Sequence, residues 1–271
     1  MKKLFVTDLD KTFLRTDLTL SEYSKKVWNE KAKNHLLSIA TARSLKTSLQ
    51  FLDGLSINLP MILLDGAMVA TSEKKLIALN ALSKEITDSI IAEGKKFDIL
   101  PFIVGINEGV NELFLYPEKT NIYQKELLAK YKNDSRLTNI KDIKGINKNL
   151  KVVYMGEEKH MSELSKRLKE VFANEIEIKL SKDPYIDCHF LTLLHPKGDK
   201  SHALEELLEY TKSKKEHLTV FGDSHNDVGM FKKAGKSVAV KNAVEEVKKI
   251  AHIVLPHTND EDAVARYLEK I

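Results

Sequence analysis

Two short segments place acidic residues where they could do chemistry. Asp8-Leu9-Asp10-Lys11-Thr12 follows the apolar run Leu4-Phe5-Val6 and Thr7, so two carboxylates spaced i, i+2 stand at the mouth of a strand-like stretch. Carboxylates beside apolar neighbours are costly unless a cation binds there. The plainer reading is a pair of loop aspartates capping the next turn. Gly222-Asp223-Ser224-His225-Asn226-Asp227 follows a second apolar run, Leu218 to Phe221, with Gly222 permitting a tight exit. Its plainer reading is an Asp-rich helix cap. If the two runs are neighbouring parallel strands, Asp8, Asp10, Asp223 and Asp227 converge on one sheet edge. Such an oxygen-rich cluster suits a hard cation, Mg2+ in particular, which takes one or two carboxylates and completes its shell with water and substrate phosphate.

The elements that must position these segments are legible as alternating patterns. Leu4 to Val6, an amphipathic stretch from about Ser21 to Lys33 and the run Leu36 to Ala40 read as strand, helix, strand. A helix near Leu45 to Leu52 and a strand at Met61 to Leu64 continue the pattern, followed by a hairpin-like pair at 68–70 and 76–79. The same alternation returns over 201–270, with strands expected at 218–221, 237–240 and 253–255. Strands alternating with helices predict an α/β fold, a doubly wound, Rossmann-like parallel sheet covered on both faces. Residues 83–191 read differently: helices at 83–97, 121–131 and 161–172 among strands at 101–105, 112–116, 151–155, 175–180 and 186–194. That order predicts an α+β domain on an antiparallel sheet, with the Asn- and Lys-rich segment 133–149 as a loop. The expected organisation is a core of residues 1–82 and 192–271 with residues 83–191 inserted as a cap on a double hinge.

Composition narrows the function classes. The chain of 271 residues is 42% hydrophobic and 30% charged, ordinary for a globular protein. Its 43 basic and 39 acidic residues leave a net charge of +4, too small and too dispersed to argue for nucleic acid. The apolar run after Lys2-Lys3 stops at Asp8, too short for a signal or membrane segment. A lone cysteine, Cys188, is read as a core residue and as a sign of a reducing, cytoplasmic compartment. His202 and His225 have no metal-ligand partner at useful spacing and are expected at the surface.

Taken together, the segments resemble the haloacid dehalogenase superfamily of phosphohydrolases, and the insertion resembles its Cof-type, subclass IIB members. The resemblance spans essentially the whole chain. Asp8, Asp10 and Thr12 match the family's DxDxT; Ala40-Thr41-Ala42-Arg43 matches ATGR; Lys200-Ser201-His202-Ala203-Leu204 matches KGxAL; and Gly222, Asp223, Asn226 and Asp227 match GDxxND. The resemblance implies that Asp8 is a nucleophile forming an aspartyl-phosphate. It implies that Asp10 is general acid and then base, a role worth roughly 10²–10⁴-fold. It assigns Mg2+ to Asp8, the Asp10 carbonyl and Asp223, with Asp227 supporting, and phosphoryl or substrate contacts to Thr41, Lys200 and Asn226. Arg43 either binds substrate or pairs with a nearby acid. The chemistry is coherent, because a carboxylate attacks an anionic phosphate only when cations neutralise both.

The implied substrate is a small phosphorylated metabolite, with sugar phosphates the leading class; no nucleic acid or membrane partner is expected. A phosphomutase, or a phosphatase of the sucrose-phosphate type suggested by GDSHNDVGMF, is the alternative within enzymes. A metabolite-binding regulator on the same fold is the alternative outside them. The chain departs from the family at Lys11, Ala42 and Ser201, each in place of the usual Gly, and at Asp65 in place of Asn. The run Asn259-Asp260-Glu261-Asp262 reads as a helix cap.

Overall fold

Leu4, Phe5, Val6 and Thr7 are buried on both faces of β1 (Leu4–Thr7), the near-continuous apolar run expected of a central parallel strand. The computed structural model describes residues 2–183 and 186–271. After β1 come α1 (Glu22–Ala32), β2 (Leu36–Ile39), α2 (Leu45–Phe51), β3 (Met61–Leu63), β4 (Met68–Ala70) and β5 (Leu76–Leu79). Next are α3 (Lys84–Lys96), β6 (Phe102–Ile106), β7 (Glu112–Pro117), α4 (Ile122–Lys130), β8 (Leu137–Ile140), β9 (Asn149–Gly156), α5 (Glu158–Phe172), β10 (Glu177–Lys182) and β11 (His189–Leu194). The chain ends with α6 (Lys200–Thr211), β12 (Leu218–Gly222), α7 (Val228–Lys233), β13 (Lys236–Ala239), α8 (Glu245–Ile250), β14 (Ile253–Val254) and α9 (Ala263–Glu269).

Two units emerge, Met1–Leu79 with Asp199–Ile271, and Asn80–Gly198. The first holds a five-stranded, all-parallel sheet in the order β14-β13-β12-β1-β2, the α/β architecture expected. Beside it, β3, β4 and β5 form a short antiparallel sheet, and a single parallel bridge links Ala40 to Ile62. Helix starts follow their side chains: Ser21, Ser44 and Asp199 each accept a backbone N–H at the first turn of α1, α2 and α6. Trp28 of α1 lies buried against Phe13, and Tyr267 of α9 meets Phe221 edge-on at 5.2 Å.

The second unit is a six-stranded sheet in the order β10-β11-β9-β6-β7-β8, antiparallel except for the β7–β8 pair. Met161, Leu164, Leu168 and Phe172 recur at helical spacing on α5 and bury against Val152, Tyr154, Leu191 and Leu193 on one face. On the other face Tyr123 and Leu127 of α4 pack with Met155, Ile186, Cys188 and Phe190. Two features differ from the sequence-based expectation. The segment 133–149 contains a strand, β8, which pairs in parallel with β7; its lone apolar residues Leu137 and Ile140 give no alternating pattern, and pairing supplies what propensity does not. The exchange between units falls at 79/80 and 198/199 rather than 82/83 and 191/192. All of β11 pairs with β9 and β10, and Leu82 exchanges two backbone hydrogen bonds with Asn149. Among the described residues, no helix is long and apolar enough to cross a membrane.

Candidate active site

Thr7 and Phe221 are register partners, and the Asp8 N–H donates to the Phe221 carbonyl at 3.0 Å, so Asp8 leaves the sheet beside Gly222 and Asp223. Because β1 lies between β2 and β12, the crossovers diverge around it, and the crevice at such a switch point is where open α/β sheets bind ligands. The chain beyond Asp8 winds into one wide turn, with the Leu14 N–H donating to the Leu9 carbonyl at 2.8 Å. Lys11 takes φ 56° there, the left-handed conformation that glycine adopts without strain. The Asn242 side-chain amide holds the Lys11 carbonyl at 2.7 Å.

Asp8, Asp223 and Asp227 each present a carboxylate oxygen within 4.8 Å of the others, and all three side chains are buried. Lys200, fully buried at the start of α6, places its Nζ 2.6 Å from Asp8 Oδ1 and 2.7 Å from Asp227 Oδ1. Asp227 Oδ2 accepts the Asp223 and Ser224 N–H groups at 3.0 and 3.1 Å. Gly222 makes this possible, since a Cβ there would lie 2.6 Å from the Asp227 carboxyl. Asp223 Oδ1 accepts the Thr12 hydroxyl at 2.9 Å.

Three carboxylates therefore face one ammonium. Burial pushes the Asp8 carboxyl well above the usual range; Lys200 works against this, while Asp227 and Asp223 add to it. Burial and the Asp227 charge push Asp223 up to about 6. For Lys200, burial opposes the charged form, but Asp227 and Asp8 outweigh it and hold the ammonium protonated.

This donor set fits a hard divalent cation. Among the described residues, Asp8 Oδ2 and Asp223 Oδ2 accept no hydrogen bond from the protein, and the cluster around them carries excess negative charge. Asp227 has both oxygens engaged, which suits a supporting role.

The remaining candidates lie around this cluster. The Asp10 carboxylate stands outside the three-acid group and is held instead by Arg43, whose Nε lies 2.8 Å from Asp10 Oδ2 in a two-point ion pair. Arg43 also stacks over the Phe51 ring at 4.4 Å, so its pairing with an acid is the arrangement observed. Thr41 is fully buried; its hydroxyl accepts the Arg43 N–H at 3.2 Å and its own N–H donates to the Ile62 carbonyl. Asn226 accepts the Ser224 hydroxyl at 2.7 Å and reaches Asp65 Oδ1 at 3.4 Å. His225 is exposed beside Glu246, and His202 is half-buried against Asp199 at 2.6 Å.

Sequence reasoning did not foresee the residues that hold the loop after Asp8. Asp262 accepts from Arg15, Ser21 and Ser24; Asp260 accepts from Thr16; and Asn259 donates to the Leu14 carbonyl at 3.0 Å. The run 259–262 is a cap, with Thr258 and Glu261 forming the capping box, but it also clamps a segment some 240 residues away. The four adjacent polar residues were its only signal. The turn at Asp65-Gly66 is similarly constrained. Gly66 has φ 113°, and a Cβ there would lie 2.1 Å from the carbonyl oxygen of Asp199, the residue before Lys200. Gly66→Ala is expected to destabilise the protein by about 3 kcal/mol or more, from backbone strain and steric overlap together. An unchanged urea midpoint for this variant would contradict the contact.

Residues 5–268 match the model of the haloacid dehalogenase-like hydrolases. The chain belongs to that family. A 5-amino-6-(5-phospho-D-ribitylamino)uracil phosphatase of Bacillus subtilis is 22% identical over 98% of this chain and 96% of its own. A putative phosphatase of Buchnera aphidicola is 23% identical over 100% and 97%. The crystal structure of TM0651 from Thermotoga maritima superposes with a TM-score of 0.81 at 26% identity, covering 100% of this chain and 98% of that one. A subclass IIB sugar phosphatase shares the fold at 20% identity, with a TM-score of 0.74 over 99% and 98%.

Proposed function

We propose that this hydrolase is a Mg2+-dependent, cytoplasmic phosphatase acting on a phosphate monoester of a small metabolite, with sugar phosphates the leading class. The observation that carries the reading is the buried Asp8–Lys200–Asp227 arrangement, with the outer oxygens of Asp8 and Asp223 accepting from no donor among the described residues. A bound Mg2+, held by Asp8, the Asp10 backbone carbonyl and Asp223 and supported by Asp227, would neutralise phosphoryl charge. One carboxylate oxygen of Asp8 attacks phosphorus, the bond from phosphorus to the ester oxygen breaks, and Asp10, protonated in the substrate complex, gives its proton to the departing alkoxide. Asp10 then takes a proton from water, whose oxygen attacks the same phosphorus and releases inorganic phosphate and the Asp8 carboxylate. Lys200, Thr41 and Asn226 serve the phosphoryl oxygens.

The test is phosphate release from a panel of sugar phosphates and an aryl phosphate, with MgCl2 or with chelator. Metal-dependent release supports the reading. Conversion to an isomeric phosphate without free phosphate would assign a mutase, and binding without turnover a regulator.

Arg43 is assigned to positioning Asp10. Arg43→Ala is expected to lower kcat about tenfold, a loss of roughly 1.4 kcal/mol in the transition state, while KM changes little. A raised KM at constant kcat would instead make Arg43 a substrate-binding group.

The metal requirement has a stability signature. The Asp223 carboxyl is raised to about 6 in the folded state, above its ordinary 3.8. The folded protein therefore binds this proton more tightly than the unfolded chain, and without metal its contribution to stability is lost as pH rises through that interval. The gain in Tm on adding MgCl2 is expected to be larger at about pH 7.5 than at about pH 5, where the cation must displace the proton. Equal gains at both, read by scanning calorimetry, would contradict the assignment of Asp223 as a metal ligand.

A further inference from the structure

The turn after β13 touches both acid-bearing loops of the first unit, although the proposed hydrolysis assigns it no part. The Val244 N–H donates to the Asp223 carbonyl at 2.8 Å, and the Asn242 side-chain amide donates to the Lys11 carbonyl at 2.7 Å. Residues 240–244 thereby fix the loop after β1 against the loop after β12. The orientation of the Asn242 amide is settled by its other end, whose oxygen accepts the Asn259 N–H at 2.9 Å and leaves the nitrogen to face Lys11. Asn259 is buried, and its own amide nitrogen holds the Leu14 carbonyl. The wide turn that follows Asp8 is gripped at two carbonyls, those of Lys11 and Leu14.

Lys11 is where the grip is needed. At φ 56° and ψ 11° it occupies the left-handed region, from which a residue carrying a Cβ relaxes unless its neighbours hold it there. Its two dihedrals set the angle between the Asp10–Lys11 and Lys11–Thr12 peptides. On one side stands Asp10, the acid and base of the proposed reaction, whose carbonyl is assigned to Mg2+. On the other stands Thr12, whose hydroxyl donates to Asp223 Oδ1 at 2.9 Å. A Lys11 that turned to right-handed or extended backbone would shift Asp10 or Thr12 relative to Asp223.

We propose that Asn242 is a positioning residue of the active site: through the Lys11 carbonyl it holds Lys11 left-handed, and so keeps Asp10 and Thr12 in register with Asp223. The proposal rests on the hydrolase reading and gives Asn242 no contact with substrate or metal.

The test compares Asn242→Ala and Asn242→Asp with the unsubstituted chain, each also in a Lys11→Gly background. The readouts are phosphate release with MgCl2 and titration calorimetry with MgCl2 alone. Asn242 is exposed, so truncating it opens no cavity in the core. Asn242→Ala is expected to lower kcat about tenfold, the scale of one hydrogen bond, at nearly constant KM and unchanged circular dichroism. Mg2+ binding is expected to weaken by a similar factor. Asn242→Asp keeps the acceptor for Asn259 but loses the donor to Lys11, and is expected to lose at least as much. Glycine enters left-handed backbone without strain, so in the Lys11→Gly background the loss is expected to shrink to about threefold. An equal loss in both backgrounds, an unchanged kcat in either Asn242 variant, or a raised KM at constant kcat overturns the proposal. An unsubstituted chain that binds Mg2+ but releases no phosphate from any member of the panel overturns the hydrolase reading, and this proposal with it.

Discussion

Lys200→Met is expected to cost about 3–5 kcal/mol of stability at neutral pH, the penalty of removing one partner from a buried ion pair. Methionine keeps most of the aliphatic packing of a fully buried side chain, so the loss isolates the ammonium. Without it, Asp8 and Asp227 lose contacts of 2.6 and 2.7 Å and face each other and Asp223 with no counter-charge. The sign of the pH dependence follows. Carboxyls whose folded pKa is raised bind protons more tightly when folded, so stability is lost as pH rises and regained as it falls. Urea unfolding should therefore show a large deficit near neutrality, a smaller one in mild acid and partial recovery with MgCl2. A deficit below about 1 kcal/mol at neutral pH would mean that the three acids do not act as a charged cluster. Phosphate release should fall together with stability, because the same ammonium is proposed to meet the phosphoryl group.

Asp8→Asn separates the two effects. The amide oxygen of asparagine can still accept from Lys200, so the 2.6 Å contact survives in kind. One negative charge leaves a buried, carboxylate-rich cluster, and metal-free stability is expected to hold or rise by about 1 kcal/mol. Activity is expected to fall by about 10⁴-fold or more, since an amide does not replace a carboxylate nucleophile. Unchanged or higher Tm without metal, combined with lost phosphate release, would show that Asp8 is kept for chemistry at a cost in stability. Retained release would move the attack to water or to another carboxylate. In the double variant, Asp8→Asn should offset part of the Lys200→Met deficit, because the two side chains touch.

Most of the fold is local enough to read in one dimension. Leu4 to Val6 and Leu218 to Phe221 are largely apolar runs followed within two residues by acids, the pattern of a strand buried on both faces. The amphipathic period of α5 and the caps at Ser21 and Asn121 likewise depend on residues three or four apart. β8 escaped because its stability comes from pairing with β7 rather than from its own residues. The assignment of residues 192–194 escaped because strand membership depends on which neighbour pairs, here β9 and β10.

The sequence by itself determined the chemical inventory: Asp8, Asp10, Asp223 and Asp227 just beyond apolar strands, Lys200 at a helix start, and Thr41 and Arg43 on a further strand exit. The tertiary structure alone decided who pairs with whom. It gathered Asp8, Asp223 and Asp227 around Lys200, set Asp10 apart on Arg43, and tied the loop after Asp8 to Asn259, Asp260 and Asp262. The physical reason is range. Strand and helix propensities act over a few residues, whereas the field at a buried carboxylate depends on charges within about 4–6 Å in space, and those charges lie up to some 240 positions away in the chain.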